Sequence, residues 1–173
     1  TANVLKVWQG LGYNRRALFL KRLAETVVQQ YGGKLPKTAE RLVELPGIGP
    51  NTAGAILAYA WNEPVVYIET NIRRIFIHHF FPNAESVSDK ELLPFVERAL
   101  DKKNPREWYW ALMDYGSVLP RSVVNPNRRS AHYTKQSKFE GSSRQLRGKV
   151  LKYILEKGSA TLAQIKKQLA DDE

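Results

Sequence analysis

Apolar positions recur at three- and four-residue intervals through most of the chain. Residues 3 to 9, NVLKVWQ, make a short stretch of this kind and run into GLGY, where Gly10 and Gly12 break a helix and predict a tight turn. Residues 15 to 31 set Leu18, Leu20, Leu23, Val27 and Val28 among Arg, Lys and Gln, then stop at Gly32 and Gly33. Thr38 precedes AERLVEL as a plain N-cap, since Arg41 stands where a capping box wants Glu or Gln, and that helix is expected to end near Leu45. NTAGAILAYAW, from Asn51, is small and apolar nearly all round, as a helix at the centre of a domain should be, with Pro64 as its stop. Further helices are predicted over 71–80, over 89–102 with Leu92, Leu93, Val96 and Leu100 inward, and over 106–118. No stretch alternates with period two, and VVY at 65–67 is too short to matter, so the fold class is all-α.

The pattern changes after residue 119. Residues 120–143 are polar and turn-rich, with NPNRRS and EGSSR, and read as a linker. Residues 144–173 hold two more helices, QLRGKVLKYILEK and TLAQIKKQL, separated by Gly158 and Ser159. These read equally as an ordinary helical hairpin or as the start of a winged helix whose remainder would follow Glu173. The predicted organisation is therefore a helical domain over 1–119, the linker, and the hairpin. A chain that opens on Thr1 and closes on Asp171, Asp172 and Glu173 just after a hairpin reads as cut at one or both ends.

Charge narrows the partner. The 173 residues carry 27 Lys and Arg against 17 Asp and Glu, a net +10. Nine of the cations (Arg121, Arg128, Arg129, Lys135, Lys138, Arg144, Arg147, Lys149 and Lys152) fall between 121 and 152, opposed only by Glu140. Such a run is either a solvated linker or a polyanion-binding surface that gains affinity by releasing counterions from phosphates. There is no cysteine, which excludes disulfides, thiolate-held zinc and an iron–sulfur cluster. No apolar run approaches the roughly 20 residues of a membrane span, so no membrane partner is predicted and a cytoplasmic monomer is expected.

The turn LPGIG between two helices supplies the first candidate chemistry. Gly47 and Gly49 have no Cβ, so they can take positive φ and let an anion approach the backbone, and Pro50 suits the first turn of a helix. The amides of Gly49, Asn51 and Thr52 are then expected to face a phosphate at the positive end of the helix dipole. Glycine-containing helix turns are common, so the turn alone does not establish DNA binding.

Read in order, GLGYNRRALFL, GGKLPKTAERLVELPGIGPNTAGAILAYAW, IETNIRRIF and ALMDYGS resemble the helix-hairpin-helix DNA glycosylases, most of all the A/G-specific adenine glycosylases. The resemblance runs from about Val4 to Ser117, roughly two thirds of the chain. It implies a helix-hairpin-helix glycosylase-like domain that flips a base, mispaired adenine first, out of double-stranded DNA and hydrolyses its N-glycosidic bond. Tyr13 matches the tyrosine wedged into the base stack; its other reading is a core tyrosine under the glycine turn. Gly47, Ile48, Gly49, Asn51 and Thr52 match the phosphate clamp, whose carbonyls in this family often hold a monovalent cation; no other cofactor is implied. Arg128, Arg129 and Lys135, with Tyr133 and Phe139, fall in the segment that would face DNA.

Glu69 lies where the family has a catalytic aspartate that stabilises the oxocarbenium-like sugar. Glutamate adds a methylene, about 1.5 Å, and misplacement of about 1 Å can cost on the order of a hundredfold in rate. Its other reading is a cap-like acid before a helix starting at Asn71, balanced by Arg73 or Arg74. Asn51 replaces the Schiff-base lysine of bifunctional relatives such as endonuclease III, and an amide is no nucleophile, so a monofunctional enzyme is implied. The family's four-cysteine cluster is missing, and its general-acid glutamate belongs upstream of Thr1, so this length of chain alone is expected to have weak activity or none. The rival reading is a non-catalytic helix-hairpin-helix DNA-binding module. The neighbours His78 and His79 have no third ligand at metal-binding spacing, and Trp108 and Trp110 read as packing.

Overall fold

A computed structural model describes residues 1–171. Its helices are α1 (Ala2–Val7), α2 (Arg15–Tyr31), α3 (Ala39–Val43), α4 (Pro50–Trp61), α5 (Thr70–Phe80), α6 (Asp89–Ala99), α7 (Pro105–Val118), α8 (Ser143–Lys157) and α9 (Leu162–Asp171). Among the described residues there is no strand beyond an isolated bridge between Val87 and Ser130, so the all-α expectation holds. No described helix is long and apolar enough to cross a membrane. Asp172 and Glu173, part of the predicted terminal hairpin segment, lie outside the described residues.

The chain forms two compact units, residues 34–134 and residues 1–33 with 135–173. The first is built around α5. Its Ile72, Ile75, Phe76 and Ile77 are buried with Val87, Leu92, Val96, Tyr109 and Leu119, and α6, α7 and the short 3₁₀ turn Pro126–Arg129 pack on it. Helix α4 packs on α3 and α7. In the second unit α1 lies against α2 and α8, and α8 against α9.

Several boundaries depart from the sequence reading. Helix α4 ends at Trp61, as NTAGAILAYAW predicts, but what stops it is Asn62 in the left-handed conformation (φ 60°), before Pro64 is reached. Helix α6 stops at Ala99, and Leu93 on it is 42% exposed, whereas Leu92, Val96 and Leu100 are buried as expected. The linker divides: residues 120–134 belong to the α5 unit, because Pro126 and Asn127 are buried there and Asn127 Nδ2 donates to the Thr70 carbonyl at 3.0 Å. The segment reads from its sequence as a linker, solvated or DNA-facing; the asparagine ties its first part to the start of α5.

Candidate functional site

The hairpin is α3, a turn, and α4. Thr38 caps α3 by accepting from the Arg41 amide at 3.4 Å, and Leu42 and Leu45 bury the hairpin's apolar side. Gly47 takes φ +81°, as the turn requires, but Gly49 is extended (φ −97°, ψ 174°) and serves as the N-cap of α4. Its side is open for a different reason: a Cβ there would meet nothing within 4 Å. The Ile48 amide donates to the Leu45 carbonyl at 3.1 Å and is therefore not available to an anion. The amides of Gly49, Asn51 and Thr52 have no protein acceptor among the described residues, Pro50 has no N–H, and Gly49, Asn51 and Thr52 are exposed.

Glu69 stands in the same unit, at the end of the irregular segment 62–69 and at the N-cap of α5. One carboxylate oxygen, Oε1, accepts from the amides of Asn71 at 2.5 Å and Ile72 at 3.2 Å. The cap half of the structural reading is thus real. The counter-ion half holds only at a distance: Arg73 makes its two-pronged pair with Asp89 at 2.6 and 2.7 Å, which against burial raises the guanidinium's pKa, with the Glu69 charge a lesser cause. Arg74 donates to Asn71 Oδ1 at 3.0 Å, to the Gly116 carbonyl, and to Asn125 at 3.2 Å. No cation lies within ion-pair distance of Glu69 among the described residues.

Two glycines bring the neighbouring helices close to this segment. A Cβ on Gly54 of α4 would sit 2.7 Å from Tyr67 Cβ, and one on Gly116 of α7 would sit 2.6 Å from Asn71 Cβ and 2.8 Å from its carbonyl oxygen. The close approach leaves a cavity of about 390 Å³, lined by Asn51, Thr52, Ala55, Tyr59, Tyr67, Glu69 and Met113. The residues on α4 follow one helix face, so the structure brings Asn51 and Glu69, the two residues singled out for catalysis, to one pocket. Tyr59 and Tyr67 were not singled out, because nothing in their spacing marks a buried phenol as part of a site.

Tyr13 belongs to the other unit and is 69% exposed, which excludes the core reading. It takes φ +50°, uncommon for a residue with a side chain. Arg16 lies over its ring at 5.1 Å, and Gln136 Nε2 donates to its hydroxyl at 3.1 Å. Lys135 and Arg128 are exposed, and their side chains make no hydrogen bond or ion pair among the described residues. Arg129 is different: its guanidinium donates to the carbonyls of Phe81, Pro82 (2.7 Å), Ala84 (3.3 Å) and Ile77 (3.4 Å), at the C-terminal end of α5. It closes that helix end. Trp110, read as packing, is 53% exposed with its ring stacked on Tyr59 at 6.3 Å.

Comparison with known proteins matches this architecture. The helix-hairpin-helix motif fits residues 30–59. The chain is 30% identical over 166 residues to the adenine DNA glycosylase of Mycolicibacterium smegmatis, covering 87% of this chain and 57% of that protein. It is 32% identical over 120 residues to the human adenine DNA glycosylase, covering 67% and 22%. A thermostable thymine-DNA glycosylase superposes with TM-score 0.60 at 24% identity, over 72% of this chain and 59% of that one, which shows a shared fold. The chain belongs to the helix-hairpin-helix DNA glycosylase superfamily. It spans between 34 and 57% of the length of the first adenine glycosylases it matches. Glu69 and Asn51 both lie in the pocket.

Proposed function

We propose that this chain carries the hairpin and the catalytic carboxylate of a base-excision-repair DNA glycosylase, acting on adenine mispaired with guanine or 8-oxoguanine. The observation that supports the reading best is the joint placement of Glu69 and Asn51 in a pocket at the phosphate-binding end of α4. The free amides of Gly49, Asn51 and Thr52 hold a DNA phosphate. The carbonyls of Pro46, Gly47 and Ile48 accept no hydrogen bond among the described residues, a donor set that fits a monovalent cation steadying the turn. The exposed Tyr13 ring wedges into the stack as the base swings out. Glu69, which makes no ion pair among the described residues, stabilises the positive charge that develops on the sugar as the N-glycosidic bond breaks. Asn51 cannot form a Schiff base, so the product is an intact strand with an abasic site.

One observation favours a second reading, a binding module without catalysis: Glu69 already has a structural task as the cap of α5. Glu69→Gln separates the two, because glutamine keeps an acceptor oxygen for the cap and removes the charge. Single-turnover release of adenine opposite 8-oxoguanine, developed with alkali, should fall by on the order of a hundredfold or more in the variant with DNA affinity unchanged. Neither protein should give a borohydride-trapped adduct. Tight, salt-sensitive binding with no base release by the natural protein, from this or other lesion duplexes, would establish the binding module.

A further inference from the structure

Tyr13 is exposed, yet its backbone, ring face and hydroxyl are all held. Three left-handed positions shape the turn that carries it, Gly10 (φ +86°), Gly12 (φ +67°) and Tyr13 itself (φ +50°). Hydrogen bonds close that turn. The Leu11 amide donates to the Trp8 carbonyl at 3.2 Å, Trp8 Nε1 to the Gly12 carbonyl at 2.9 Å, and the Arg16 amide to the Tyr13 carbonyl at 2.8 Å. The Arg16 guanidinium lies over the Tyr13 ring at 5.1 Å and over the Trp8 ring at 5.7 Å, and it reaches the Leu11 carbonyl at 3.5 Å. Gln136 Nε2 donates to the hydroxyl at the far end of the Tyr13 ring.

These contacts do not bury the ring, which stays 69% exposed. They order a large aromatic surface in solvent, which contributes little to the fold, since a tyrosine stabilises a core by burying its ring. Left-handed backbone is unfavourable for a residue with a Cβ, and such positions persist where the surroundings over-determine them, above all where a ligand is met. A ring that enters a base stack gives up its rotamer freedom, and freedom already lost in the free protein does not oppose binding. Arginine suits the holding task. Its planar, weakly hydrated guanidinium stacks on aromatic faces, whereas the ammonium of lysine is a compact point charge that cannot lie flat on them.

We propose that Arg16 is a positioning residue for base extrusion: by stacking on Tyr13 and Trp8 it keeps the Tyr13 ring ordered in solvent before DNA arrives. The inference rests on the wedge role given to Tyr13 in the glycosylase reading and deepens it. No covalent bond changes in this step; the nucleotide leaves the stack and the ring fills the gap. Trp8, Tyr13, Arg16 and Gln136 all belong to one compact unit, residues 1–33 with 135–173, whereas Glu69 belongs to the other. Extrusion and base release are therefore separable by substitution.

The test places 2-aminopurine beside an adenine opposite 8-oxoguanine whose 2′-fluorinated sugar blocks base release, so that fluorescence reports extrusion alone. The substitutions are Arg16→Lys, Tyr13→Ala and the two together, each in the full chain. Arg16→Lys keeps the charge, so affinity for an undamaged duplex should stay within about twofold at each salt concentration. Its thermal midpoint should not move, as for other surface substitutions. The equilibrium constant for extrusion should fall about threefold to tenfold, the scale of ordering one side chain on binding. Tyr13→Ala should lower it at least as far, and adding Arg16→Lys to Tyr13→Ala should lower it no further, because the arginine acts through the ring. Full extrusion by Arg16→Lys would show that only the charge matters, overturning the inference and leaving the glycosylase reading standing. A loss that persists in the Tyr13→Ala background, or that weakens binding of undamaged duplex equally, would make Arg16 a phosphate contact and overturn it too. A natural protein that binds this duplex without extruding a base would remove both the inference and the wedge role of Tyr13.

Discussion

At the scale of single residues, Gly116 sets how near α7 comes to the segment that carries Glu69. A side chain there would overlap Asn71, two residues from Glu69, at both its Cβ and its backbone oxygen, so the helices cannot keep their spacing. Gly116→Ala should therefore cost about 1–3 kcal/mol, the usual penalty of overpacking, in chemical denaturation. It should also slow base release, since Asn71 donates its amide to Glu69 and would carry the carboxylate with it. A variant as stable and active as the natural chain would show that α7 can slide. Glycines of this kind are hard to read in a sequence: Gly47 announces itself within PGIG, whereas Gly116 sits in a helical pattern, where its close contact with a residue 45 positions earlier appears only on folding. Glu69 and Asn51 were legible because their family motifs fix their register. Tyr59 and Tyr67 were not, because the burial of a phenol in a pocket wall is a property of packing.

At the scale of elements, α5 is held at both ends by side chains whose roles the pattern did not separate. Glu69 satisfies amides at its N-terminus, and Arg129 satisfies carbonyls at and beyond its C-terminus. Arg128 and Arg129 look alike in NPNRRS, and both were read as DNA contacts. The 3₁₀ turn Pro126–Arg129 turns the first outward and the second into α5. Arg129→Ala should destabilise the fold by about 2–3 kcal/mol, the scale of hydrogen bonds from a charged donor to several carbonyls, as measured by denaturant midpoint. Its effect on DNA affinity of the folded protein should be small. Arg128→Ala should do the opposite, leaving the midpoint within about 0.5 kcal/mol, as surface substitutions do, while weakening DNA binding. If the two variants behave alike, Arg129 is not the helix-end cap. The periodicity located α2, α4, α5 and α7 to within about two residues, because each buries an apolar face; at the end of α4 the stop itself is left-handed Asn62 and not Pro64.

At the scale of the whole molecule, the net +10 overstates what is free to meet DNA. Of the nine cations between 121 and 152, Arg129 is bound to carbonyls, Arg144 donates to the Ser137 carbonyl at 2.6 Å, Arg147 donates to the Ser143 carbonyl at 3.1 Å, and Lys152 faces Glu156 at 4.0 Å. Lys149 is engaged as well. The side chains of Arg121, Arg128, Lys135 and Lys138 remain without a hydrogen bond or ion pair among the described residues, and all four residues are exposed. Counterion release from duplex DNA contributes about −0.9 per neutralised phosphate to the slope of log affinity against log salt. Replacing these four with glutamine should therefore flatten the slope by between about three and four units. The raw charge of the segment would suggest roughly twice that. The phosphate held by the hairpin amides involves no side-chain cation, so Gly49, Asn51 and Thr52 should sustain a weaker, less salt-dependent binding after the replacement. A slope that does not change would place the DNA on another face of the molecule, and abolition of binding at all salt concentrations would mean that the hairpin does not hold DNA by itself.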